Sequence, residues 1–394
     1  MGRAQKLGDM DGLGVLDTEF PLREVQQILR ETERESKRKR KLPASLMVYY
    51  AIALGLMCSV GARQVLRHLL DKVREDGDGP VGGPLATEAA ITKARQRLGV
   101  KPLEELFARF VRPLAKKSLQ SAWFRSWRVV SLDGTTLRTL DTDANEQRFG
   151  RPSTKRGTVA YPQVRLAGLL ENGTRILFAV AMEAYATAEN TLARKVIPRL
   201  SEGMLCLADR GFFGHELWNQ AVATGADLLW RVKSTLNLGP LEKLSDGSYL
   251  GHLRIHGRGP RKPVRVIKFT LTFKTGKRED YRLITTILDH RRAPAMELAL
   301  LYGRRWTIET MFDELKVRIG GPKLLLRSAT PDLVEQDIYG LLLAHFGVRH
   351  EMLDAARAQG LDPEELSFEN ALHVIIRRLP EMVSFSPSAE AALP

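Results

Sequence analysis

The hydrophobic period of this chain changes once, and that change limits the folds open to it. Up to about residue 120, apolar residues recur at helical spacing, as Leu22, Val25, Ile28 and Leu29 do within Pro21 to Arg40. From Arg128 the period is two. Val129, Val130, Ser131, Leu132 and Asp133 read as a short strand, and Gln163 to Leu170 and Thr174 to Met182 as a hairpin turned at Asn172-Gly173. Asn190 to Leu200 then reads as a helix, Met204 to Ala208 as a buried strand, His215 to Ala223 as a helix and Asp227 to Val232 as a strand. Hairpin-linked strands followed by alternating helices and strands predict an α/β domain on a mixed sheet, behind a helical N-terminal domain.

Within the helical part, Leu42 to Ala62 carries no charge over 21 residues and follows the basic run Lys37 to Lys41, which makes it a possible membrane span. Pro43, Ser45, Tyr49, Tyr50, Gly55, Ser59 and Gly61 dilute its apolarity, and the amphipathic run Arg63 to Leu70 follows. The expectation is a buried helix and no membrane partner. The first twelve residues lack the apolar core of a signal peptide. A Gly/Pro-rich break at Gly77 to Pro84 precedes a helix from Thr87 to Leu98, where Thr87 caps the start and Lys93, Arg95 and Arg97 form a basic face. That face suits DNA or solvent equally well on charge alone.

Charge adds a partner class. With 60 Lys+Arg against 46 Asp+Glu, the net charge of +14 favours a polyanion, because bound cations release the counterions condensed on phosphates. The two cysteines, Cys58 and Cys206, stand far apart and match no zinc-ligand spacing, so the chain reads as cytoplasmic. Residues 233–290 interrupt the α/β pattern with the strand-like runs Val264 to Phe273 and Tyr281 to Leu288. Between Arg254 and Arg278 there are nine Lys or Arg and no acid, so this β-rich insertion, with Arg261 and Lys262, is expected to contact the DNA backbone.

Two apolar runs end in aspartate: Leu132 precedes Asp133-Gly134-Thr135, and Leu205 to Ala208 precede Asp209-Arg210-Gly211. Carboxylates at the ends of two buried strands can converge on a divalent cation, although either alone is a common turn-former. Ala293 to Ile319 is strongly helical. On an ideal helix Tyr302, Arg305, Glu309 and Lys316 share a stripe about 60° wide, and Leu301, Ile308, Met311 and Leu315 an adjacent core arc. Spacing alone leaves a solvated stripe of charges and a functional face equally open. Asp141, Asp143, Asp313 and Glu314 are competing carboxylates, and His215 and His256 read as solvated.

The string Tyr302-x2-Arg305-x3-Glu309-x6-Lys316 resembles the Y-R-E-K signature of DDE transposases in the bacterial insertion-sequence group called the IS4 family. Leu132-Asp133-Gly134-Thr135 is similar to that family's first-aspartate strand, and Ala208-Asp209-Arg210-Gly211-Phe212 to its second-aspartate motif. The resemblance implies a ribonuclease H-like catalytic domain over 121–232 and 291–350, the β-rich insertion at 233–290, a helical DNA-binding domain over 1–120 and a C-terminal helical tail over 351–394. It implies that Asp133, Asp209 and Glu309 bind two Mg²⁺ ions, replaceable by Mn²⁺, while Tyr302, Arg305 and Lys316 hold phosphates of the transposon end. One ion activates a water or a 3′-hydroxyl and the other stabilises the leaving oxygen. The implied activity is metal-dependent cleavage and strand transfer in cut-and-paste transposition, through a hairpin in related members. The implied partners are double-stranded inverted-repeat ends and target DNA, with a homodimer assembled on them near the bacterial nucleoid. Trp230 and Tyr281 are candidates for stacking on a base, although each reads first as a core or strand aromatic. Two other classes remain: a transposase-derived DNA-binding protein that does not cut, and a different ribonuclease H-like nuclease.

Overall fold

A computed structural model describes residues 19–38, 40–75, 85–154, 157–158, 161–239, 241–254, 261–272, 276, 278–321 and 324–378. The N-terminal twelve residues, the Gly77 to Pro84 break, Phe273 and His256 lie outside them. In chain order the helices are α1 (Leu22–Glu31), α2 (Ala44–Leu56), α3 (Ala62–Glu75), α4 (Glu88–Leu98) and α5 (Lys101–Phe110). Strand β1 (Trp127–Thr139), helix α6 (Asp143–Phe149), strands β2 (Gln163–Glu171) and β3 (Ile176–Ala184) and helix α7 (Glu189–Val196) follow. Next are β4 (Met204–Ala208), α8 (His215–Ala223), β5 (Asp227–Arg231), β6 (Tyr249–Arg254), β7 (Arg261–Thr272) and β8 (Arg278–Thr285). Helices α9 (Ala295–Tyr302), α10 (Thr307–Asp313), α11 (Pro331–Gln359) and α12 (Phe368–Arg378) complete the chain.

The chain divides into two compact units. The first comprises Met1–Leu114, Leu137–Gln163 and Asp313–Pro394; the second comprises Ala115–Thr136 and Val164–Phe312.

In the first unit, α2 explains the uncharged stretch, because nearly all its residues are buried, polar Ser45 and Tyr50 included. It packs on α11 at a backbone crossing made of two glycines: a Cβ on Gly55 would stand 2.5 Å from the Gly340 carbonyl oxygen. No helix among the described residues is long and apolar enough to cross a membrane. Helix α1 stops earlier than its period suggests, since Thr32 Oγ1 bonds back to the Ile28 carbonyl at 2.7 Å and Glu33 adopts φ 57°. Thr87 caps α4 as expected, its Oγ1 accepting from Ala90 N at 3.2 Å.

The basic face of α4 is corrected at Arg95, which is buried. Its guanidinium reaches Asp337 at 2.7 Å, the Leu333 carbonyl at 3.0 Å and Ser328 at 3.2 Å. These partners account for the Arg95 charge inside the first unit. Lys93 and Arg97 are exposed.

The second unit is a sheet ordered β3-β2-β1-β4-β5-β8-β7-β6, with the short strand Glu242–Lys243 at its far edge. Strands β1, β4 and β5 are parallel, and β2 with β3 forms the antiparallel hairpin beyond β1. This is the ribonuclease H-like arrangement, extended by the insertion strands β6 to β8, which add antiparallel to β5. Successive side chains alternate across the pleat. Val129, Leu205 and Leu207 share a core with Leu298, Leu301 and Tyr302 of α9. Trp230 is buried edge-on to Trp218 of α8, with ring centroids 5.3 Å apart.

The β2–β3 turn differs from the expected two-residue Asn-Gly loop. Asn172 to Arg175 form it, and Arg175, at φ 57°, supplies the left-handed residue. Gly173 is needed for another reason: a Cβ there would lie 2.5 Å from Ala122 N. Asn172 is drawn inward, accepting from Ser131 Oγ at 2.9 Å and donating Nδ2 to the Arg304 carbonyl at 2.7 Å.

Candidate active site

Strands β1 and β4 end their parallel ladder at Leu132 opposite Ala208, so Asp133 and Asp209 are the next residue on each. Adjacent strands lie about 4.8 Å apart, which sets two carboxylates on one edge of the sheet for reasons of register alone. Asp133 is not at a strand end, as its sequence context suggests, because β1 continues to Thr139 after its pairing with β4 stops.

Asp133 Oδ1 accepts from Gly134 N at 2.8 Å, and Oδ2 accepts from Arg305 Nη1 at 2.8 Å. Burial pushes the Asp133 carboxyl above its ordinary value, against the pull of the Gly134 N–H and Arg305. The close passage here needs Gly134, since a Cβ would come within 3.1 Å of the Glu189 carboxylate and of the Leu166 carbonyl.

Asp209 is met from the other side. Tyr302 donates its hydroxyl to Asp209 Oδ1 and to the Ala208 carbonyl, each at 3.3 Å. Burial first, and then the Asp209 charge, push the Tyr302 phenol far up, so it stays protonated and a donor. Arg231 Nη1 lies 3.8 Å from Asp209 Oδ1 and its Nη2 2.6 Å from Glu279, with the guanidinium over the Tyr281 ring.

The single long helix expected over 293–319 is broken. After α9 the backbone tightens into a 3₁₀ turn at Gly303–Trp306, where Asn172 takes the Arg304 carbonyl; after α10 it opens into a π-helix at Glu314–Ile319. A constant turn per residue therefore misplaces the side chains, and the exposed stripe is corrected. Tyr302 is 3% exposed and Arg305 5% exposed. Arg305 Nη2 reaches Glu309 Oε1 at 3.3 Å, and the Glu309 side chain is 47% exposed. Lys316 belongs to the first unit, where burial and then Arg138 hold its ammonium below the ordinary value. Ile308, Met311 and Leu315 are buried, as the core arc requires.

Burial opposes the charge of Arg305, but the neighbouring Tyr302 oxygen and the Asp133, Asp209 and Glu309 carboxylates hold its pKa above the ordinary value. Among the described residues no group of three or more His, Cys, Asp or Glu is drawn together as a metal cluster. The donor type nonetheless suits a divalent cation, since Asp133 and Glu309 already share one positive charge and Asp209 lies at the next strand's end.

The competing carboxylates are accounted for elsewhere. Asp141 pairs with Arg151 at 2.6 Å, Asp143 starts α6, and Asp313 is exposed. Glu314 is buried against His345 Nε2 and Arg349 Nε, both at 3.0 Å. Both stacking candidates are core residues: Trp230 is fully buried, and Tyr281 stacks on Phe269 at 5.2 Å. Arg261 and Lys262 are exposed at the start of β7. Arg265, counted with them in the basic run, is buried and bonds Asp246 and the Ala293 carbonyl.

Sequence patterning missed Arg231, Glu189 and Trp306. Arg231 sits within an ordinary apolar strand, and Glu189 reaches Asp133 only through the fold. Trp306 is an exposed indole at 52%, beside Arg305, and its adjacency to the signature is the one signal that marks it.

A ribonuclease H-like sheet with acids where the parallel ladder between two adjacent central strands ends defines a class of metal-dependent phosphoryl-transfer enzymes. Residues 126–346 match the transposase DDE domain family and residues 10–108 the insertion element 4 transposase N-terminal family. The chain belongs to the IS4 family of DDE transposases. It is 28% identical over 369 residues to the transposase InsG for insertion sequence element IS4 of Escherichia coli strain K12, covering 92% of this chain and 82% of that protein. A solved structure of a piggyBac transposase synaptic complex with hairpin DNA aligns with 99% of this chain and 81% of its own, at TM-score 0.43 and 10% identity. The protein is a transposase, an enzyme whose family works on DNA with divalent metal.

Proposed function

We propose that this transposase excises and inserts an element by cut-and-paste, using Asp133, Asp209 and Glu309 as the ligands of two Mg²⁺ ions. The observation that carries this reading is the Arg305 guanidinium paired with Asp133 at 2.8 Å and with Glu309 at 3.3 Å, with the Asp209 charge acting on it as well. Such ions supply a Lewis acid for in-line displacement at phosphorus. The remaining work falls to the side chains. Tyr302 orients Asp209 through its buried hydroxyl. An incoming DNA phosphate competes with Asp133 and Glu309 for Arg305, whose planar fork suits two phosphate oxygens; Lys316 adds a point charge. Arg261 and Lys262 hold the backbone of the DNA further out. The 3′-hydroxyl freed by the first nick would then attack a phosphodiester of the opposite strand, closing a hairpin on the element's end and expelling the 3′-hydroxyl of the flanking DNA; water would reopen the hairpin to regenerate a 3′-hydroxyl, and a homodimer would bring two such ends together for joining.

The test uses DNA ends taken from inverted repeats flanking the gene. Asp133→Ala, Asp209→Ala and Glu309→Ala should each abolish cleavage while leaving end binding nearly intact. Mn²⁺ should replace Mg²⁺, whereas Ca²⁺ should support assembly with little cutting, because its looser coordination misplaces the reacting oxygens. Cleavage without metal, or a near wild-type rate in any of the three variants, overturns the assignment.

A further inference from the structure

A cleft of about 650 Å³ opens in the second unit beside the turn that follows Asp209. Arg210, Phe213, His215, Lys233, His252 and Arg261 contribute to its walls, and none of the described residues lining it is acidic. Arg210, Lys233 and Arg261 have no ion-pair partner among the described residues. Gathering unneutralised cations around one concavity is unfavourable for the folded chain by itself and favourable for an anion. His215 Nδ1 is buried in the wall without a hydrogen-bond partner. His215 also opens α8, where the preceding Gly214 provides no side-chain cap, so backbone N–H groups are available at the same place.

Size and position narrow the occupant. The volume is that of a small-molecule pocket, about 300–1,000 Å³, a size that suits a few unpaired nucleotides rather than a length of duplex. Phe213, half-buried against His215 and Trp218, lies in the same wall, and an aromatic among basic side chains is the combination that holds single-stranded nucleic acid. Arg210 adjoins Asp209 in sequence, and the 209–213 turn is closed by Phe212 N on the Asp209 carbonyl at 3.0 Å. A strand that passes the acids therefore meets the cleft next.

We propose that this cleft is a second DNA site, which grips the phosphodiester backbone of an unpaired strand extending from the acidic centre. The proposal rests on the transposase reading and adds to it a distinct ligand, single-stranded DNA. It also separates two neighbours in β7: Arg261 lines the cleft, while Lys262, on the opposite side of the pleat, does not.

The experiment measures binding of the full chain, in EDTA, to an end duplex with and without an oligothymidine single-stranded tail. The tail should tighten binding by the wild type several-fold. Lys233→Glu should abolish that gain and leave the blunt duplex bound, and the salt slope of the tail-dependent gain should fall by about 0.7 for each phosphate that is no longer neutralised. Lys262→Ala should weaken both probes by the same factor and keep the gain. A tail that adds nothing, or a gain that survives Lys233→Glu while the duplex is bound and cut normally, overturns the cleft alone. Failure to bind the end duplex at all overturns the transposase reading and the cleft with it.

Discussion

Replacing Arg305 by alanine separates the buried arrangement from the solvated stripe that helical spacing suggests. On an exposed helix face such a charge contributes a few tenths of a kcal/mol, and its loss would scarcely be measurable. Here the guanidinium is 6% exposed in its side chain and lies 2.8 Å from an Asp133 carboxylate that is 19% exposed. Breaking a fully buried pair costs about 3–5 kcal/mol, and the partial solvation of Asp133 moves the figure to about 2–3. The second pair, at 3.3 Å to a Glu309 side chain 47% exposed, adds under about 1 kcal/mol. The expected loss is about 3 kcal/mol, which for a unit of this size lowers Tm by about 6–12 °C. Calorimetry in EDTA, at one pH and salt concentration, reads it directly. Removing Asp133 as well should recover part of the loss, because the stranded carboxylate is then gone. A Tm shift below about 2 °C for Arg305→Ala would refute the buried placement, and with it the argument from a cation paired with Asp133 and Glu309.

Other perturbations test other parts of the structure. Gly55→Ala should destabilise by about 2 kcal/mol in urea unfolding, since overpacking against the Gly340 backbone exceeds the roughly 1 kcal/mol gained in helix propensity. Arg95→Met strands the Asp337 carboxylate and should cost about 3–5 kcal/mol, whereas Lys93→Ala, at an exposed position, should be nearly silent in the same assay. Burial opposes the charge of His350, but its hydrogen bond and ion pair with Glu19 raise its pKa overall. The pair's stabilisation is therefore fully present below the unfolded histidine value and is lost as pH rises through the higher folded value. The stability difference between wild type and His350→Gln should shrink over that interval, and a difference that grows with pH would reverse the sign.

Much of this was legible in the chain itself. The strands at Met204 to Ala208 and Asp227 to Arg231 and the helix His215 to Ala223 follow from period and length, because each buries one face or both. The register that aligns Asp133 with Asp209 was not legible, since pairing partners far apart in sequence leave no local mark. The fate of Arg305 was hidden for a different reason. A charged residue at helical spacing from an acid has the same pattern whether the helix runs straight or tightens into a 3₁₀ turn, and Asn172 sets that turn from another part of the sheet. Arg95 and Arg265 show the same limit, for composition does not distinguish a buried, paired guanidinium from one that faces DNA.

The glycine crossing of α2 and α11 has a consequence for the ribosome. Helix α2 is apolar on every side, and the surface that shelters it belongs to a helix that ends at Gln359. The emerging chain must therefore carry an apolar helix that α1, α3 and α4 cover only in part through most of its synthesis, and contacts between such distant segments close slowly. A product truncated before α11 would keep the family's N-terminal segment and leave α2 exposed, a species suited to chaperone capture or aggregation and not to an independent DNA-binding fragment.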